Sequence, residues 1–252
     1  MWRCFTATCG WAGVGFPGSK PTIEGTNRIV KLESLKEKKS EGTTLEPLSD
    51  KLLAYFSERM ISEETLRRNH VLQRDQDVIA FTYRLNGIQV GCKYRTLGKR
   101  FWQDKGTERF LYGLDDIAEA KEVIIVEGEI DKLSMEEAGY RHCISVPAGA
   151  PNASLSKTIP PEEQDKAFKY LWNNKEHLDK ITRIIIATDS DTSGRILSVK
   201  LAHRLGVERC SLVHWPMNDD EQYYKDANEV LMCLGPVALR EAVDRATPFQ
   251  LQ

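Results

Sequence analysis

The hydrophobic positions of this chain change period twice, and those changes divide it. From Ser49 onward, apolar side chains fall at Leu52, Leu53, Phe56 and Met60, a spacing that turns one face of a helix inward. Ser62-Glu63-Glu64-Thr65-Leu66 then supplies a capping hydroxyl and an acidic first turn for a second helix. The period shortens to that of strands over 78–85 and 88–94, with Asn86-Gly87 between them. Asn-Gly tolerates the left-handed backbone of a two-residue turn, so this segment predicts an antiparallel hairpin. Past residue 122 the pattern alternates: strand 123–126, helix 130–138, strand 143–146, a loop through Pro147, Pro151, Pro160 and Pro161, helix 162–178, strand 183–187, helix 194–205, strand 210–214 and helix 227–246. Strands separated by helices predict a largely parallel sheet. The expected class is α/β: a Rossmann-like sheet with helices on both faces, preceded by a smaller α+β subdomain that carries the hairpin.

The segments outside these periods are of another kind. Residues 1–18 are rich in Gly, Trp and Cys, and 19–48 are polar and rich in Lys and Glu, as a linker is. The expected divisions are therefore 1–18, a linker at 19–48, an α+β part at 49–120 and an α/β domain at 121–248. A length of 252 residues accommodates these cores. The formal charge of -2 means that any nucleic-acid footprint must be local. The 6 cysteines are scattered and suggest no disulfide framework, so a reducing compartment is expected. No apolar run approaches the roughly 18 residues of a membrane span. Residues 1–18 carry neither a signal-peptide nor a transit-peptide pattern, so either the chain is not imported or its leader is missing.

Acidic residues collect where the strands end. Val126-Glu127-Gly128-Glu129-Ile130-Asp131 follows one apolar strand, Thr188-Asp189-Ser190-Asp191 follows another, and Lys225-Asp226-Ala227-Asn228-Glu229 precedes the last helix. Ligands of open α/β sheets bind beyond the carboxyl ends of the strands. Any one such carboxylate is ordinarily a helix cap or a solvated turn, and Glu129 and Asp131 also suit the dipole of a helix first turn. Three together predict a shared divalent-cation site, with Asp189 and Asp191 placed to hold one or two ions. The all-oxygen donor set suits magnesium, which keeps several waters and bridges to phosphates; no His or Cys accompanies it, which argues against zinc there. Upstream, Lys93, Arg95, Lys99, Arg100, Lys105 and Arg109 outnumber Asp104 and Glu108 and are interleaved with Tyr94, Phe101 and Trp102. Such a stretch suits triphosphates and unstacked bases, although a hairpin with a solvated charged face has the same composition.

At Glu127-Gly128 and Asp189-Ser190-Asp191 the chain resembles the TOPRIM fold, in which a Glu follows one strand and Asp-x-Asp a later one. Primases, topoisomerases and some nucleases share that pattern. Residues 126–131, 225–229 and 91–101 together look like the primase half of phage primase-helicases and of Twinkle, most of all its plant form, and this resemblance runs from Trp2 to about Pro248. It implies a DNA-dependent RNA primase module, a metal-dependent nucleotidyltransferase that makes short RNA primers on single-stranded DNA in organellar replication. It also implies magnesium or manganese bound by Glu127, Asp189, Asp191 and Asp226, with Glu127 as ligand or general base and Glu129 and Asp131 in support. Lys93, Arg95, Lys99, Arg100, Lys225 and Asn228 are implied in nucleotide or template binding. The partners implied are a single-stranded DNA template, ribonucleoside triphosphates, and a replicative helicase or DNA polymerase in trans. Mitochondrion or chloroplast is the implied location.

The sequence departs from this family in three places. Cys4 and Cys9 resemble the second half of a zinc ribbon, but a ribbon needs four ligands, so residues 1–18 read as a remnant that holds no zinc. No Walker A motif is present, so a helicase function is not expected. Ser190 stands where plant relatives commonly carry Gly. The alternative reading is a catalytically inactive single-stranded-DNA-binding accessory protein of the replisome; a TOPRIM nuclease or topoisomerase is the third.

Overall fold

The computed structural model of the chain describes residues 2–3, 12–13, 44–104, 108–149 and 159–250. Two compact units are present, Met1–Glu41 and Gly42–Gln252. In the first, β1 (Trp2–Arg3) pairs antiparallel with β2 (Ala12–Gly13). Cys4, Cys9 and nearly all of the expected linker lie outside the described residues.

The second unit begins with the expected helical pair, α1 (Asp50–Glu58) and α2 (Glu63–Arg68). Ser62 caps α2 by accepting a hydrogen bond from the Thr65 amide, and Leu52, Phe56 and Leu66 point into the core. The hairpin forms as its turn dictates: β4 (Val78–Leu85) pairs with β5 (Ile88–Thr96), and Asn86 and Gly87 take φ of 52° and 75°. Two strands that the sequence pattern did not show, β3 (Val71–Arg74) and β6 (Phe101–Gln103), extend it to an antiparallel sheet of order β3-β4-β5-β6. At four and three residues, both are too short to display a period of two.

The α/β part follows the predicted alternation. β7 (Glu122–Val126), β8 (Cys143–Ser145), β9 (Arg183–Ala187) and β10 (Cys210–Leu212) are mutually parallel, and β11 (Thr247–Pro248) adds antiparallel at one edge, giving the order β11-β10-β9-β7-β8. Alternate residues of the central strands enter different cores. Val123, Ile125, Ile184 and Ile186 pack with Leu197 and Leu201, whereas Ile124, Val126, Ile185 and Ala187 pack with Met135, Val230 and Leu231. Near-continuous apolar strands are what a sheet covered on both faces requires.

Two expected helices are modified. In place of one helix over 162–178 there are 3₁₀ turns followed by two single-turn helices, α4 (Lys169–Trp172) and α5 (Lys175–Leu178). Asp165 and Asn174 account for this. Both are buried; Asp165 accepts from Arg204 and Trp172, and the Asn174 amide donates to the Tyr170 carbonyl. Polar groups turned inward at those positions break the apolar stripe a single helix needs. The last helix, spanning Ala227–Asp244, is interrupted where Gly235 takes φ 85° and ψ 175° ahead of Pro236, which has no N–H to donate. We number its amino-terminal part, which begins at Ala227, α8. The other two helices are labelled α6 (Glu129–Glu137), which lies between β7 and β8, and α7 (Thr192–Leu205), which lies between β9 and β10.

Candidate metal and nucleotide site

The parallel strands end together, and their following turns carry the acidic groups. Asp131 from the first turn of α6, Asp189 from the turn after β9 and Asp226 at the start of α8 present carboxylate oxygens all within 4.8 Å of one another. The loops are held for this. Trp215 donates to the Thr188 carbonyl at 2.8 Å, the Thr188 hydroxyl donates to the Gly194 carbonyl at 2.9 Å, and the Ser190 amide donates to the Lys225 carbonyl at 2.7 Å. A Cβ on Gly194 would lie 2.1 Å from the Asp189 carbonyl oxygen, so helix α7 can approach the turn only with glycine there.

Electrostatics show how crowded the negative charge is. Burial, then the charges of Asp226 and Asp189, push the Asp131 carboxyl well above the usual carboxylate range. Asp189 is also raised, chiefly by burial, against the pull of Lys225, whose ammonium lies 2.9 Å away. Glu127 is pushed up to about 7 by burial and by Asp189 and Asp191, and its Oε2 is buried without a partner among the described residues. Acidic groups packed this closely are poorly compensated by the protein alone, and a divalent cation with oxygen preference fits the donor set.

The sequence-predicted residues separate into groups. Asp189 and Asp226 are in the trio, and Asp131, expected as a support, is its third member. Asp191 is exposed, and its Oδ1 caps α7 by accepting from the Gly194 amide at 2.9 Å; Asp226 Oδ1 likewise accepts from the Glu229 amide at 2.8 Å. Glu129 faces the other sheet: it is buried and accepts from the Tyr83 hydroxyl at 2.5 Å and from Lys93 at 2.8 Å. The Asn228 side chain is also internal, donating to the Arg59 carbonyl and the Ser134 hydroxyl, while its amide N–H donates to Asp131.

The basic stretch lies beside the trio. Arg95 is buried on β5, its guanidinium over the rings of Tyr55 and Phe101 at 5.7 and 5.5 Å, with Nε unpartnered among the described residues. Burial lowers its pKa, and Glu129 and Asp131 counter that fall. Lys93 sits 5.5 Å from the Phe101 ring centre, Phe101 is half exposed, and Lys99 and Arg100 occupy the exposed β5–β6 turn. Sequence reasoning missed Tyr55 and Arg59, which stack at 4.7 Å. Their separation by one helical turn in α1 was the available signal, but no motif marks it.

Comparisons with known proteins give the chain its family and fold. A family profile described as the Toprim domain matches residues 121–213. A protein of Arabidopsis thaliana described as a primase homolog is 50% identical over 258 residues, covering 100% of this chain and 74% of its own length. The chloroplastic/mitochondrial Twinkle homolog of the same plant is 49% identical, covering 99% of this chain and 35% of its own length. Among solved structures, a primase domain of bacteriophage T7, in a complex with lagging-strand DNA polymerase, an RNA/DNA hybrid and dTTP, superposes with a TM-score of 0.63 at 24% identity, over 82% of this chain and 94% of that one. That last likeness shows the fold.

Proposed function

This chain belongs to the Toprim primase family that includes the plant primase homolog and Twinkle homolog proteins, and from that premise we propose that it is a DNA-dependent RNA primase module acting in organellar DNA replication. The observation that carries the reading is the Asp131, Asp189 and Asp226 trio set beside Arg95, Lys93 and the Tyr55 and Phe101 rings. A carboxylate cluster facing a basic, aromatic surface matches the two things a primer-making enzyme must hold, triphosphates and unstacked template bases.

The reaction joins the 3′-hydroxyl oxygen of one ribonucleoside triphosphate to the α-phosphorus of a second; the α–β bridging bond breaks and pyrophosphate leaves. Magnesium or manganese, when bound, supplies charge neutralisation at the phosphates and a lower pKa at the attacking hydroxyl. Asp131, Asp189 and Asp226 would hold the ion, and Asp191 stiffens the turn by capping α7. Glu127, whose Oε2 has no partner among the described residues, is the carboxylate available to take the hydroxyl proton. Arg95, whose Nε has no partner among the described residues, and exposed Lys99 and Arg100 draw in phosphates, while Phe101 offers a face to a template base. The Lys93–Glu129 pair orients the basic strand toward the trio. A replicative helicase or polymerase partner in trans, and a mitochondrial or chloroplast location, extend the reading from the relatives to this chain.

The test is template-directed dinucleotide synthesis with labelled nucleotide, purified protein and magnesium or manganese. Metal-dependent product that disappears in Glu127→Gln and Asp189→Asn is expected. Single-strand binding that survives those substitutions, with no product under either metal, assigns the chain to the inactive accessory role.

A further inference from the structure

Lys225 precedes Asp226 and directs its ammonium at the trio, with Nζ 2.9 Å from Asp189 Oδ2. Its main chain is fixed on both sides. The carbonyl accepts from the Ser190 amide at 2.7 Å, and the N–H donates to the Glu229 carboxylate. The side chain is free by comparison, being 54% exposed. Asp189, Asp226 and Asp191 all attract it. Nearby cations are engaged elsewhere, Lys93 with Glu129 and Arg59 with Asn228. Lys225 is thus a flexible point charge on an anchored stem, held by a carboxylate that a divalent cation would need.

We propose that Lys225 is the resident counter-ion of the metal site: its ammonium neutralises Asp189 in the metal-free protein, and an arriving divalent cation displaces it, freeing the charge for the phosphates of a nucleoside triphosphate. The inference rests on the trio being the metal site, as proposed above. An ammonium and a magnesium ion on the same carboxylate repel each other and divide its negative charge, so the two cations compete. The competition couples two ligands. Metal alone binds against the lysine, whereas metal and triphosphate together give the lysine a new anion, so each ligand strengthens the other beyond direct bridging. A salt bridge of purely structural purpose, half exposed as this one is, gives no such coupling.

The experiment measures Mn²⁺ uptake by electron paramagnetic resonance and calorimetry at fixed pH and ionic strength, using the full chain and its Lys225→Met, Lys225→Arg and Asp189→Asn variants. Removal of the competing charge is expected to tighten Mn²⁺ binding to Lys225→Met by roughly fivefold or more in the absence of nucleotide, allowing for solvent screening of a half-exposed pair. The thermal shift produced by Mn²⁺ alone should grow in the same variant. With saturating Mn²⁺ and no template, ATP should bind Lys225→Met about tenfold more weakly than wild type, with most of the loss restored in Lys225→Arg. Melting curves without metal establish that each variant is folded, and Lys225→Gln replaces Lys225→Met if the latter is not. Equal or weaker Mn²⁺ binding by a folded Lys225→Met, while Asp189→Asn loses uptake, overturns the counter-ion role and leaves the metal site standing. No Mn²⁺ uptake by wild type overturns both.

Discussion

Arg59 and Asn228, 169 positions apart, hydrogen-bond in both directions: Arg59 Nη1 donates to Asn228 Oδ1 at 2.8 Å, and Asn228 Nδ2 donates to the Arg59 carbonyl at 3.0 Å. The main-chain N–H of the same Asn228 donates to Asp131, so the end of helix α1 is tied to the trio through one buried residue. Asn228→Ala should leave the Arg59 carbonyl and the Ser134 hydroxyl short of partners and destabilise the protein by about 1–3 kcal/mol. Chemical denaturation measures this. Metal uptake should weaken beyond what the stability loss explains, because Asp131 loses the support of an ordered neighbour.

A second buried network sets the acid limit of the fold. Lys132, with no exposed surface, pairs with Asp116 at 2.7 Å and Glu136 at 3.1 Å, and Arg68 bonds to both carboxylates as well. Burial alone would raise the Glu136 carboxyl, but Arg68, Lys132 and Asn69 outweigh it and hold the group at about 2, against an ordinary 4.5. A depressed folded-state value contributes stability above the unfolded value, and that contribution fades as pH falls from about 4.5 toward 2. Glu136→Gln should flatten the fall in stability over that window and cost roughly 3 kcal/mol near neutrality, since it leaves buried cations short of a partner. Urea titrations at several pH values give both numbers.

The trio stores repulsion. Asp131→Asn removes one of three charges lying within 4.8 Å yet keeps an oxygen to accept from Asn228. Without metal this variant should melt higher than wild type, by on the order of 1 kcal/mol in stability. Its melting point should then fail to rise when magnesium is added. A metal-free variant less stable than wild type would show that the repulsion is already relieved in some other way.

Gly194→Ala tests how closely helix α7 must approach the Asp189 turn. A methyl 2.1 Å from the Asp189 carbonyl oxygen and 2.8 Å from its Cα forces backbone to move. The expected cost is roughly 3 kcal/mol, with loss of metal uptake because Asp189 is carried away from Asp131 and Asp226. Calorimetric metal titration of the folded variant separates the two effects.

Much of this was readable from residue order. Apolar runs at 123–126 and 183–187 fixed buried strands, Asn86-Gly87 fixed a hairpin, and carboxylates just past strand ends fixed where to look. The membership of the trio was not readable. Asp131 and Glu129 stand two apart in one helix turn, and only the packing of α6 sends the first toward Asp189 and the second toward Tyr83 and Lys93. Asp191 looks like Asp189 in sequence, but the start of α7 claims it as a cap. Tyr55 and Arg59 carry only their one-turn spacing as a local mark, because their proximity to Arg95 depends on how α1 packs against β5. The break at Gly235-Pro236 was legible in principle, since proline removes a helical donor, and the apolar periodicity on both sides hid it.

The two borders of the parallel sheet have a bearing on how the molecule behaves among its own copies. On one side, β11 covers β10 and ends in Pro248, which offers no amide hydrogen to a newcomer. On the other, Tyr112 and Ser145 exchange backbone hydrogen bonds of 3.0 Å in both directions, which occupies the outer rim of β8. Both borders of the five-stranded sheet thus present little free backbone for the addition of a strand from another copy.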